Sequence, residues 1–192
     1  MPRAGLDPDR VAREGLRLVD EAGIGALSIA TLAARLGVQR PSLYNHTRSA
    51  EGLRETLRAM VVSEVADTAE GVVPRKGREG LFSMMRALRA YLLRYPRRID
   101  FLLENTESAT GPLRDASDRL RRPVMALLSS YGLSGARAVH AARMLRSLWI
   151  GFALLESRGG YAIDVPVEQS FTFALEAAYQ SLAPKSKRTA RS

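Results

Sequence analysis

Apolar residues recur along the chain at intervals of three and four, and alternating Val, Ile or Thr runs with hairpin dipeptides are missing. The spacing predicts an all-α protein of about nine helices. Asp7-Pro8 marks the first start, with Asp as N-cap and Pro at a position whose missing N–H costs nothing. Ala12, Leu16, Val19 and Ala22 then line one face, and Gly23 closes the helix. Ser28 caps a short second helix with Ile29, Leu32, Ala33 and Leu36 at i, i+3, i+4 and i+7, and Gly37 ends it. Another short helix runs from about Arg40 to His46, and a longer one from about Ser49 to Glu70. Residues 71–77 read as a linker, and further helices are expected near 78–94, 96–105, 112–131, 134–157 and 167–182. Pro123 should kink or divide the third of these.

Two short helices joined by a tight Gly-containing turn have the form of a helix-turn-helix. Ala33 is small where the helices must cross, Gly37 takes a left-handed turn without a Cβ penalty, and Val38 and Leu43 anchor the second helix to the first. Gln39, Arg40, Ser42, Tyr44, Asn45 and His46 are left on its outer side, all groups suited to base edges or phosphates. As a bare apolar hairpin the segment fits an ordinary helical core equally well. Its polar outer face, and its place near the N-terminus ahead of a long helix, favour DNA binding.

Charge changes this picture little. The net charge is +9, but Lys185, Lys187, Arg188 and Arg191, with no acid among the last nine residues, supply nearly half of it. Those residues read as a disordered basic tail. The absence of cysteine excludes disulfides, zinc ribbons and thiol catalysis, and two distant histidines, His46 and His140, do not make a metal cage. His140, on an Ala-rich helix, reads as an interior histidine. No apolar run approaches the roughly 18 residues of a membrane span, and the acidic start Asp7-Pro8-Asp9 is no secretory signal, which predicts a soluble cytoplasmic protein.

The run Leu-Gly-Val-Gln-Arg-Pro-Ser-Leu-Tyr-Asn-His at 36–46, preceded by Ser-Ile-Ala-Thr-Leu-Ala-Ala-Arg at 28–35, resembles the N-terminal domain of tetracycline-repressor (TetR) family regulators over roughly residues 8–58. The resemblance implies a DNA-binding head of three helices, a connecting fourth helix and a larger helical domain for ligand binding and dimerisation. The boundaries this gives are 1–48 for the head, 49–183 for the body and 184–192 for the tail. The family often places a Lys at the start of the fourth helix, where it meets phosphate; this chain has Ser49-Ala50-Glu51, with Arg48 as the substitute and Thr31 as a second phosphate candidate. Residues 146–171 are similar to a C-terminal domain of some members that runs His-Gly-Phe, Leu-Glu, Gly-Gly-Phe and Ser-Phe. Ile150 stands where the His usually does and Tyr161 replaces the second Phe, so no role of that His carries over.

The expected function is a one-component transcriptional regulator, most simply a repressor, that binds a palindromic DNA operator as a homodimer and is released by a small apolar or amphipathic effector. No cofactor and no metal are implied. Met84, Leu88, Tyr91, Phe101, Leu102, Asn105, Met125, Leu128 and Phe152 are the candidate effector lining, drawn from a surplus of large apolar side chains in the body. The candidate dimer face is Ala138, Ala141, Leu145, Leu148 and Trp149 with Phe171, Leu175, Ala178 and Leu182; Phe173 and Ala177 add a second apolar face that a helix covered on one side would not need. Two other classes compete. One is a DNA-binding adaptor whose body takes a protein partner. The other is a helical small-molecule enzyme, disfavoured by the lack of paired His/carboxylate motifs and of a phosphate-binding Gly loop.

Overall fold

The computed structural model describes residues 7–72, 77–104, 106 and 109–182. Among these there are nine α-helices and no strand: α1 Pro8–Ala22, α2 Ile29–Leu36, α3 Arg40–Thr47, α4 Ala50–Glu70, α5 Gly77–Arg94, α6 Ile99–Leu103, α7 Gly111–Ser130, α8 Gly135–Ser157 and α9 Val167–Leu182. The basic tail and Asn105 lie outside the described residues. The chain divides into two compact units, one formed by residues up to Ala66 with Tyr95–Arg119, the other by Asp67–Arg94 with the residues from Leu120 onward.

In the first unit the helix starts are written locally. The Asp7 side chain accepts from the Asp9 backbone N–H at 3.2 Å, and Ser28 and Thr31 cap α2 reciprocally, each side-chain oxygen accepting the other's backbone N–H at 3.1 Å. Gly37 ends α2 in the left-handed region at φ 68°. Val19, Leu32, Leu43, Leu53 and Leu57 are buried between the helices, each such side chain stabilising by roughly 1.5–3 kcal/mol. Two glycines let helices approach closely. A Cβ on Gly15 would meet the Leu57 methyl carbons at 3.0 and 3.1 Å, and one on Gly52 would run into the Thr47 carbonyl oxygen.

Residues 96–105 do not form one helix. Pro96–Arg98 make a 3-10 turn and α6 is only Ile99–Leu103, because this segment is held by side chains from α1 and α4. The buried Arg98 guanidinium pairs with Asp20 of α1 and Glu64 of α4, each at 2.6 Å, and lies 3.9 Å over the Tyr95 ring. Arg97 donates to the last carbonyls of α1, at Asp20 and Glu21. From α4, Arg54 and Arg58 pair with Glu104 at 2.5 and 3.1 Å, and Arg58 donates to the Phe101 carbonyl. These contacts tie α6 to α1 and α4.

In the second unit α5 packs on α8 and α9 through Leu81, Met85, Leu92, Leu145, Trp149, Phe171 and Leu175. Arg89 is buried among them. It pairs with Glu156 at 2.7 Å and Glu168 at 2.5 Å, with its guanidinium 4.6 Å over the Phe171 ring. Phe152 meets Phe171 edge-on at 5.0 Å. Tyr131 donates to the Gly77 carbonyl at 2.6 Å, and burial pushes its hydroxyl up to about 12. Of the kink or division expected at Pro123 the division does not occur: α7 is continuous through it, and its ring is buried. His140 is exposed, not interior, because the inward positions of α8 are Ala138, Ala141 and Leu145.

Candidate nucleic-acid interface

Helix α3 is eight residues long and is held by one narrow face. Leu43 is fully buried and Thr47 nearly so, its hydroxyl donating to the Leu43 carbonyl at 3.0 Å. Gln39, Arg40, Ser42, Asn45 and His46 are exposed around the rest of the helix, and Tyr44 is 48% exposed. None of these side chains has a hydrogen-bond or ion partner among the described residues. The contrast within the same unit is clear. Arg35, Arg54, Arg58, Arg97 and Arg98 are all engaged with carboxylates or carbonyls. The donors of α3 are therefore available to an external acceptor.

The flanks differ from one another. Arg48 is exposed, caps α3 by donating its backbone N–H to the Tyr44 carbonyl, and sits at φ 60°, ψ −41°, the one non-glycine residue with positive φ among those described. Thr31 is exposed too, but its hydroxyl is already committed to the α2 cap and donates to the Ala26 carbonyl at 2.8 Å. Ser49 caps α4 by accepting the Gly52 N–H at 2.9 Å, and Gly52 brings α4 against the end of α3. The brace behind the face is Arg35, which grips Glu21 bidentately at 2.5 and 2.6 Å and reaches Glu14 at 3.1 Å, so α2 is bolted to α1. The Arg35 guanidinium holds both carboxyls below their ordinary range.

A cleft of about 540 Å³ opens between α4 and α7 inside this same unit. Glu55, Thr56, Ala59, Met60 and Ser63 line it from α4, and Gly111, Leu113, Asp115, Ala116 and Arg119 from α7. None of the nine residues expected to line an effector pocket is among them. Met84, Leu88, Tyr91, Phe101, Leu102 and Leu128 are buried, Met125 and Phe152 half-buried, and Asn105 is outside the described residues. The residues of α4 and α7 were missed because their adjacency joins segments about fifty positions apart, which periodicity does not report.

The stripe expected to meet a second copy is largely buried within the single chain. Ala138, Ala141, Leu145, Trp149, Phe171, Leu175, Ala178 and Leu182 are all buried within the single chain, and Leu148 is half-buried. Periodicity shows that a face is covered, not by what. The large apolar side chains that α8 and α9 leave exposed are Val139, Met144, Leu155 and Phe173, the last at 79%. The C-terminal sequence pattern also has a structural account: Glu156 and Phe171 meet on Arg89, and Phe152 packs on both Phe171 and Tyr161. Gly159, at φ 68°, and Gly160, where a Cβ would crowd the Leu155 carbonyl at 3.1 Å, end α8.

Among the described residues no helix is long and apolar enough to cross a membrane, and no cluster of His, Asp or Glu could hold a metal ion. Residues 81–178 match the family described as the tetracyclin repressor-like C-terminal domain. A helix-turn-helix-type transcriptional regulator of Mycobacterium tuberculosis is 33% identical over 88% of this chain and 78% of its own length. The class A tetracycline repressor of transposon 1721 from Escherichia coli is 30% identical over 90% of this chain and 81% of its own. Among solved structures, ActR of Streptomyces coelicolor in complex with actinorhodin superposes with a TM-score of 0.70, at 23% identity over 93% of this chain and 97% of that one, a likeness of fold.

Proposed function

Because the chain belongs to the tetracycline-repressor family, and is thus a DNA-binding transcriptional regulator and not an enzyme, we propose that it is a cytoplasmic repressor that grips a palindromic operator as a homodimer and lets go when a small molecule binds. The observation that carries this reading is the outer face of α3. Arg40, Asn45 and His46 stand exposed and unengaged beside Gln39 and Tyr44, while Arg35, Arg54, Arg58, Arg97 and Arg98 of the same unit are spent internally. In this reading Gln39, Arg40, Ser42, Tyr44, Asn45 and His46 enter a major groove, where an arginine grips guanine through two hydrogen bonds. Arg48 takes a phosphate. Its backbone, at positive φ, would suit glycine better, so a long cation at this strained position supports a role for the side chain. Thr31, whose hydroxyl and backbone N–H are both engaged in the α2 cap, would reach a phosphate only beside that cap.

The dimer is supported by exposure. A phenylalanine 79% exposed in mid-helix, with Val139 and Met144 on the neighbouring helix, needs cover. A two-fold copy supplies it and presents two recognition helices. Release by a small molecule is supported by the tetracycline repressor among the relatives. The test is selection of bound sequences from randomised duplex DNA by the full chain. A palindromic consensus with half-sites about one helical turn, ~34–36 Å, apart is expected; recovery of no enriched sequence overturns operator recognition.

A further inference from the structure

The α4–α7 cleft combines a floor and a rim of opposite character. Ala59, Met60 and Leu113 form an apolar floor, while Glu55 and Asp115 stand on exposed ground at its edge, one on each helix. Neither carboxylate has a hydrogen-bond or ion partner among the described residues. The cation of the site, Arg119, is engaged, donating to the Ser63 hydroxyl at 3.0 Å. At about 540 Å³ the space falls within the range of small-molecule pockets, ~300–1,000 Å³. The α7 N-terminus at Gly111 carries the partial positive charge of a helix end, which favours anions, but Asp115 lies one turn on and opposes it.

We propose that this cleft is a binding site for an amphipathic organic cation, its apolar body on Met60 and Leu113 and its charge between Glu55 and Asp115. The proposal deepens the effector reading above and rests on it for its consequence. Helix α4 carries the cleft on one face and the head on another: Leu57 lies under Gly15 of α1, and Gly52 abuts the Thr47 carbonyl at the end of α3. A molecule wedged between α4 and α7 acts on the helix that sets α3.

The test uses two probes of one shape and opposite charge, tetraphenylphosphonium and tetraphenylborate, titrated calorimetrically into the full chain without DNA. Tetraphenylphosphonium should bind at micromolar concentration and tetraphenylborate at least tenfold more weakly. Glu55→Gln with Asp115→Asn, both exposed and far from any core contact, should erase that preference while leaving the melting temperature unchanged, and Ala59→Trp should fill the floor and abolish binding. Absence of tetraphenylphosphonium binding up to 1 mM, equal binding of the borate, or an unchanged preference in the double variant overturns the proposal. Operator affinity is measured separately with and without tetraphenylphosphonium. If the probe binds as expected and operator affinity does not fall, release by the cleft is refuted while the site stands; if the probe fails to bind and the operator is still recognised, the cleft site is overturned while operator recognition stands.

Discussion

Arg40 and Tyr44 share the outer face of α3 but not its anchor, which is Leu43 and Thr47. Arg40→Ala or Tyr44→Ala should therefore weaken operator binding by roughly 1–3 kcal/mol each if they reach base edges, with an unchanged melting curve. Arg48→Ala should lower affinity for all DNA alike and reduce the slope of binding against salt by about one phosphate. Anisotropy titrations on specific and scrambled duplexes at several salt concentrations separate the two patterns. The helical glycines divide by what their missing Cβ would meet. At Gly15 the neighbours are the far ends of Leu57 at 3.0 and 3.1 Å, which can give by tenths of an ångström. Alanine also gains up to ~1 kcal/mol of helix propensity, so Gly15→Ala should be close to neutral. At Gly52 the obstacle is the Thr47 backbone carbonyl, and the same propensity gain is outweighed by an overpacking cost of about 1–3 kcal/mol. Gly52→Ala should lower the melting temperature and, by displacing α3 against α4, cost operator affinity as well.

At the scale of elements, helices whose signals are local were legible in the sequence. Asp7-Pro8, Ser28 and Gly37 sit within a residue or two of the observed ends because caps and left-handed turns are decided by neighbours in sequence. The outer face of α3 was legible for the same reason, since Leu43 fixes which side turns inward. What escaped was set by distant partners. The segment 96–104 is cut to a turn and five helical residues where Arg98 reaches Asp20 and Glu64, and the cleft exists only because α7 lies along α4. Arg35 is another long-range element contact, and it has a pH signature. Glu14 and Glu21 are held below their ordinary range chiefly by its hydrogen bonds, so as pH falls the unfolded chain takes up these protons first. The stabilisation is complete above the ordinary glutamate value of about 4.3 and is lost as pH drops through the lowered folded values. Arg35→Gln should remove this part of the acid dependence, seen by circular dichroism as a shallower decline of stability below that value, and should leave the neutral-to-basic side parallel to the parent.

For the whole molecule, the proposed homodimer turns on which face of α8 and α9 is left open for a second copy. The periodic stripe through Leu145, Trp149, Phe171 and Leu175 was the natural choice from sequence, yet these side chains close the chain's own core against α5. Replacing one with a charge would unfold the unit and say nothing about association. Phe173 distinguishes folding from assembly, because its ring is 79% exposed in the single chain. Placing a charge there costs the isolated fold little, whereas in a two-fold interface the substitution is felt twice, once from each copy. Phe173→Asp should leave the far-ultraviolet circular dichroism spectrum and helix content intact and shift sedimentation at micromolar concentration from dimer to monomer. Operator affinity should fall with it, because two half-sites held by one dimer bind at an effective local concentration that separate monomers lack. A dimer that survives Phe173→Asp with unchanged dissociation would place the interface elsewhere, and a wild-type chain that sediments as a monomer both with and without operator would remove the two-fold reading altogether.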